Sequence, residues 1–268
     1  MSFTTTNNGE KTTKTTLHSV LLFNQPEAHL YIPSDISYLE SKFTIEAWIY
    51  STINFGTGII LAEGDNIFYL EDNQLKFQKK SSGETISSAR DSIIPNTWNH
   101  VAVSKSGNKP GETQLYINGK QNDNQGVISK LSAGKGIYIG VHPSSAAHQS
   151  FQGKISEIRL WNIPRYQVDI EKDLHNRLVG NEPGLIGYWS LSENSGNTVY
   201  DKTQNAKNGN IYNAVWSESL IPLACSLDPK ERLLNSNKIE DYAYLFSKLY
   251  ESQAPKQNVF FRRGRIWH

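Results

Sequence analysis

The sequence of 268 residues contains one cysteine, Cys225, and one methionine, the initiator. A solitary cysteine excludes an intrachain disulfide framework and a cysteine-rich zinc site, so stability must come from a packed core. Net charge is almost absent: 27 Lys and Arg stand against 26 Asp and Glu, which removes the global basic excess typical of nucleic-acid binders. Long hydrophobic runs are missing too. The longest, at 20–23 and 58–62, fall far short of the ~18–20 residues of a membrane helix, so no membrane span is expected. Hydrophobic residues make up only 37% of the chain, a low share for a globular domain. The balance is largely Asn, Ser, Thr and Gln. Residues 1–16 are polar and Thr-rich with no apolar stretch, which reads as a disordered leader rather than a secretory signal.

What the chain has is aromatic and β-branched residues in short runs. Six Trp, thirteen Tyr and ten Phe fall mostly between residues 20 and 216, in runs separated by turn clusters at the ~8–12-residue spacing of a β-sandwich. Strands are predicted at 19–23, 29–33, 43–50, 58–63, 66–70, 74–79, 84–89, 98–104, 113–118, 136–141, 153–162, 185–191 and 209–216. In the run 43–50, period-two alternation puts Phe43, Ile45, Ala47 and Ile49 on one face and Thr44, Glu46, Trp48 and Tyr50 on the other. Asp72-Asn73 and Asn118-Gly119 are hairpin turn signals. Two segments break the pattern. Residues 166–179 carry a helical stripe of Val168, Ile170, Leu174 and Leu178, with Gly180 as the stop. After Pro222, Asp228-Pro229-Lys230-Glu231 and Asn237-Lys238-Ile239-Glu240 resemble helix N-termini, and Ile239, Tyr242, Phe246 and Leu249 follow at helical spacing. The expected organisation is a leader at 1–16, a β domain at 17–222 and a helical appendage at 223–268 ending in an aromatic, basic tail. From Asp228 onward there are eight Lys or Arg against five acids, so the positive charge is concentrated in the appendage.

Motifs for catalysis are few. No Gly-x-Ser-x-Gly elbow, Walker motif or dinucleotide glycine fingerprint is present. His142 and His148 are six residues apart, a spacing that suits neither a helix face nor a strand face as metal ligands, and they read as solvent-facing loop residues. Glu63-Gly64-Asp65 and Glu71-Asp72 sit at turn signals and read as solvated acids. Cys225 reads as a small packed residue at the domain edge.

Five phrases in order carry a family resemblance: Phe43–Trp48, Trp98–Ala102, Leu115–Gly119, Ile137–Gly140 and Gly153–Asn162. Together they resemble the laminin-G-like, concanavalin-A-type jelly roll. Leu178–Trp189, Glu193–Asp201 and Asn208–Trp216 resemble the segment that flanks such domains in bacterial surface and secreted proteins. The resemblance covers residues 20 to 220 and implies an all-β fold: a two-sheet antiparallel jelly-roll sandwich, here with a short helix near 166–179 and the C-terminal helical appendage. It further implies a non-enzymatic recognition module that binds a glycan or a protein surface, and a secreted or cell-surface location. Hydrolases on this scaffold need paired carboxylates in a Glu-x-Asp-x-x-Glu run, and this sequence has none.

The resemblance also frames the candidate site residues. No cofactor is expected apart from calcium, for which Asp65-Asn66 lies where a pentraxin-like Asp-Asn pair falls. The loop after Gly140, Val141-His142-Pro143-Ser144-Ser145, brings no carboxylate to complete the oxygen shell that calcium takes. Asp201 is a second candidate, with a local turn role favoured. Trp48, Trp98, Trp161, Trp189 and Trp216 are read as packing residues. A sugar platform can be drawn from Trp48 and Tyr50, with Phe55, Tyr69 and Tyr138 as further members. Phe260, Phe261, Arg262, Arg263, Arg265 and Trp267, with Ile266, form either a cover on the sandwich or a docking tail for a larger secreted or toxin-like assembly.

Overall fold

The computed structural model describes residues 2–3, 15–34, 39, 42–122, 125–132, 134–144 and 149–223. The expected appendage, with its helices and its candidate docking residues 260–267, lies outside them, as do Cys225 and His148. Ser2–Phe3 pairs with Thr15–Thr16 in a short ladder, and residues 4–14 are not among the described ones.

Two large antiparallel sheets make up the body. The first runs in the order Lys120–Gln121, Thr113–Ile117, Trp98–Lys105, Phe43–Ser51, Gly153–Trp161, His18–Phe23, Val215–Ser219, with Leu185–Trp189 also paired to Gly153–Trp161. The second runs Gln125–Gly126, Glu84–Ser87, Gln74–Lys79, Asn66–Glu71, Thr57–Glu63, Ile137–Ile139, His29–Ile32, Gly209–Tyr212, Thr198–Val199. Strands adjacent in sequence often lie in different sheets, which is the jelly-roll arrangement.

Alternation builds the core. Ile45, Ile49, Val101, Val103 and Leu115 of the first sheet face Leu61, Phe68, Leu70, Phe77 and Ile139 of the second, and all are buried in one cluster. Each such side chain adds roughly 1.5–3 kcal/mol of burial. Phe43 and Phe77 meet across the sandwich with ring centroids 5.6 Å apart. The predicted hairpin turns form as expected: Asp72 and Asn73 have φ of 48° and 60°, and Asn118 and Gly119 have 51° and 80°. Two consecutive residues of positive φ give the turn whose twist matches the strands.

Two predicted elements differ. The expected single strand 209–216 is two strands in different sheets, because Asn213 takes a positive φ of 55° and carries the chain from Gly209–Tyr212 across to Val215–Ser219. The helix expected at 166–179 spans only Gln167–Asp173. The Asp169 carboxylate accepts from the Tyr166 amide at 3.0 Å and closes its first turn. At the other end, Arg159 donates to the carbonyls of Asp173 and Asn176 at 3.1 and 2.6 Å. These tertiary bonds take over from the intrahelical ones seven residues before Gly180. No helix among the described residues is long and apolar enough to cross a membrane.

Candidate functional site

The two sheets have different outer faces, and the difference locates the site. On the first sheet, Thr44, Glu46, Trp48, His100, Ser104 and Arg159 point away from the core, yet all are buried. The helix Gln167–Asp173 and the segment after it lie over them. Ile170 of the helix packs on Ala102 and Tyr116. Leu174 joins Trp48, Trp98, Val20, Ile221 and Leu223 in a second cluster.

An ionic network holds this cover down. Arg165 donates to Glu46 Oε1 at 2.5 Å, to the Asp169 carbonyl at 2.6 Å and to Asp173 Oδ2 at 2.6 Å. Its guanidinium lies 4.0 Å from the Trp161 ring centroid. Arg159 Nη1 and His100 Nε2 stand 3.6 and 3.4 Å from Glu46 Oε2. The Tyr188 hydroxyl donates to Glu157 at 2.7 Å, and Glu157 also faces Arg159 at 3.3 Å. Burial alone pushes the Glu46 carboxyl up, but the His100 contact and the Arg165 and Arg159 guanidiniums outweigh it and bring it down to about 2. Burial pulls His100 down, so its imidazole is neutral at pH 7. The acids and bases here are paired with one another and carry the architecture.

Among the described residues no helix lies over the second sheet. Alternation, with a bulge between Ile59 and Leu61, turns Ile59, Ala62, Ile67 and Tyr69 outward as one closely packed apolar cluster against which Tyr138 packs. A groove of about 490 Å³ runs over it, floored by Ile59, Ile67 and Tyr69 and walled by Glu71, Lys76, Gln78 and Gln149. Register places Tyr69 beside Lys76 and Lys76 beside Ser87. Lys76 is paired with Glu71 at 2.5 Å, and Lys80 adds a second cation to the wall. Burial, with a smaller contribution from Glu71, pushes the Tyr69 phenol up to about 12, so it stays a donor at neutral pH. Phe55, in the loop after Phe43–Ser51, has 85% of its surface exposed. The Gly56 amide ties that loop to the Asp72 carboxylate at 2.8 Å.

Beyond Tyr138 the same face continues into His29, Tyr31 and Tyr212. Tyr31 and Tyr138 have ring centroids 4.7 Å apart. His29 and Tyr212 stack at 4.8 Å with an interplanar angle of 15°, and Tyr212 is 47% exposed.

The residues expected to matter fall in both places. Trp48 is 2% exposed and donates from Nε1 to the Leu174 carbonyl at 3.1 Å. It is a packing residue and cannot stack on a sugar. Tyr50 lies on the same covered sheet, edge-on to Trp98 with Lys154 near its ring. Tyr69 and Tyr138 are on the open face. Trp98, Trp161 and Trp189 are buried, and Trp216 packs against the main core. His29, Tyr31, Tyr212, Lys76 and Gln78 went unnoticed in the sequence. Their signal was an aromatic or polar residue alternating with the buried Leu30, Ile32, Ile211, Leu75 and Phe77.

Asp65 ends the turn before the strand Asn66–Glu71, whose first residue is Asn66. Asp65 Oδ2 accepts from the Ser81 amide at 2.9 Å, and the Asn66 amide donates to the Ser132 carbonyl at 2.8 Å. The Asn66 side-chain oxygen has no hydrogen-bond partner among the described residues, but one carboxylate and one amide oxygen fall short of the six to eight oxygens that calcium takes. No group of three or more His, Cys, Asp or Glu that could hold a metal occurs among the described residues. Glu63 and His142, expected at the surface, are both buried. Glu63 accepts from the Leu39 amide at 3.0 Å. His142 Nδ1 accepts from the Ser144 amide, which leaves the proton on Nε2 to be donated to the Gly64 carbonyl. Asp201 accepts from Tyr188, Thr203 and Lys207, the local structural role expected of it.

Comparison with known proteins gives the fold a family context. A family model, Laminin_G_3, described as the concanavalin A-like lectin/glucanases superfamily, matches residues 24–171. A candidate carbohydrate-binding protein from Bacteroides ovatus superposes with a TM-score of 0.61 at 21% identity, covering 78% of this chain and 62% of that one. The chain therefore spans less than two thirds of that protein. The heptameric SAP-like pentraxin from Limulus polyphemus gives a TM-score of 0.52 at 18% identity, covering 78% of this chain and 97% of that one. At these identities the likeness is one of fold. No curated protein matches the sequence.

Proposed function

Because the chain belongs to the concanavalin A-like lectin/glucanases superfamily, we propose that it is a non-enzymatic recognition module that binds a glycan on the open face of its second sheet. One observation carries this reading. A helix seals the outer face of the first sheet, whereas that of the second keeps a shallow groove with an apolar, aromatic floor and polar walls. A sugar has matching chemistry: its hydroxyls reach Lys76, Gln78, Glu71 and Gln149, and Tyr69, only 8% exposed, meets it chiefly with its hydroxyl rather than with a full ring face. The groove's size is within the ~300–1,000 Å³ of small-ligand sites. Its carboxylate Glu71 is held by Lys76 and has no acidic partner among the lining residues, so the two-carboxylate geometry of a glycosidase is not assembled there.

The test is a glycan array followed by calorimetric titration of the hits, with and without calcium. Binding to at least one glycan is expected, with affinity unchanged by chelation. Gln78→Ala, an outward substitution that leaves the core alone, should weaken binding roughly tenfold, the loss of about one charge-free hydrogen bond. Tyr69→Ala should remove binding. Silence across the array, or full affinity in both variants, would overturn the reading.

A further inference from the structure

The open face is longer than one sugar ring. From Tyr69 the strands follow in the order Asn66–Glu71, Thr57–Glu63, Ile137–Ile139, His29–Ile32, Gly209–Tyr212. Tyr212 therefore lies four strand spacings from Tyr69, about 19 Å at ~4.8 Å per spacing. The path between them is unbroken. Ile59 pairs with Tyr69, Tyr138 with Ala62 and with Tyr31, and Tyr212 with His29. Tyr138 packs on the apolar cluster at one end and touches Tyr31 and His29 at the other, with centroids at 4.7 and 6.0 Å.

A single ring in the groove and a cluster of four at the far end are thus joined through the packed side chains of Ile59 and Ala62. The groove has Tyr69; the far end has the His29–Tyr212 stack beside Tyr31 and Tyr138. Among the described residues the hydroxyls of Tyr31, Tyr69, Tyr138 and Tyr212 bond to no other protein group. Tyr31, Tyr138 and Tyr212 so present ring surface with an uncommitted donor and acceptor, while Tyr69 offers chiefly its hydroxyl. The intervening strands are paired on both sides and offer no backbone edge for an added peptide strand. Recognition along this path must use ring faces and hydroxyls, which suits a saccharide.

We propose that the ligand is a chain of several sugar units laid across the strands, with a second stacking subsite formed by His29, Tyr31, Tyr138 and Tyr212. This rests on the glycan reading above and adds the ligand's length and direction. The rings of the second subsite hold units beyond the reach of the groove, so affinity grows with chain length until both subsites are filled. A free monosaccharide or a single terminal sugar fills the groove alone.

The test uses the full chain and size-graded cello-, xylo-, manno- and chito-oligosaccharides, from disaccharide to hexasaccharide, titrated against wild type, Tyr212→Ala and His29→Ala. The expected result is a hexasaccharide that binds at least tenfold more tightly than its disaccharide. Tyr212→Ala should remove that gain and leave disaccharide affinity unchanged. Tyr212 is half exposed, and a thermal melt matching wild type shows that the variant folds. Length-independent binding, or a length gain that survives both variants, overturns the second subsite while leaving the glycan reading intact. Absence of binding to every saccharide at every length overturns both.

Discussion

Glu46 has no exposure to water and faces two guanidiniums and an imidazole. Removing its charge takes one of two counter-charges from each arginine, leaving Arg159 with Glu157 and Arg165 with Asp173, so Glu46→Gln should cost about 2–3 kcal/mol in urea unfolding. Its titration also shapes stability against pH. The folded-state carboxyl is depressed from 4.5 to about 2, so its contribution is present above pH 4.5 and is lost as pH falls towards 2. His18, depressed from 6.5 to about 4 chiefly by burial and also by Arg177, acts earlier. The unfolded chain binds that proton first, so stability declines as pH falls from 6.5 towards 4. His100, His175 and His142 shift in the same direction, each mainly through burial. The melting temperature should therefore fall in two overlapping steps below pH 6.5, and Glu46→Gln should erase only the more acid one. A melting temperature that rises on acidification would contradict this assignment.

The helix Gln167–Asp173 shows how tertiary contacts set an element's limits. Its hydrophobic stripe at Ile170 and Leu174 was legible in the sequence, and Ile170 is fully buried, but the stripe's continuation to Leu178 and Gly180 suggested a helix twice as long. What ends it is Arg159, on a strand many residues upstream, whose guanidinium takes the carbonyls of Asp173 and Asn176. No local pattern reports such a partner. Val168, a stripe member, points outward at 77% exposure, so the stripe is narrower than its spacing implied. Arg159→Met keeps the length of the side chain but removes its donors. In hydrogen exchange it should release the amides of 167–178 early while the amides of Phe43–Ser51 stay protected. Equal loosening of both would show that the network belongs to the sheet rather than to the helix. The hairpins at Asp72-Asn73 and Asn118-Gly119 were legible because their geometry is a property of two residues. The strand break at Asn213 was missed because β propensity runs through it.

On the scale of the molecule, the described residues lay a helix over the outer face of one sheet and leave a shallow groove on that of the other. Period-two alternation separates inward from outward residues, and it did so for Trp48 and for Tyr69 alike. It does not say which outward face a later segment will cover. Trp48 and Tyr50 were therefore natural candidates for a sugar platform, and the cover from 167–178 and 220–223 makes the first a packing residue. Tyr69 and Tyr138, drawn from the same reasoning, lie on the face that stays open. His29, Tyr31 and Tyr212 become a group only when three separate strands are brought side by side. Recognition on the second sheet is tested by amide chemical-shift mapping with a saturating oligosaccharide hit. Shifts should concentrate at Ile59, Tyr69, Lys76, Gln78, Tyr138 and Tyr212, with Trp48, Tyr50 and His100 unmoved; shifts confined to the first sheet or to the described loops away from this face would rule it out.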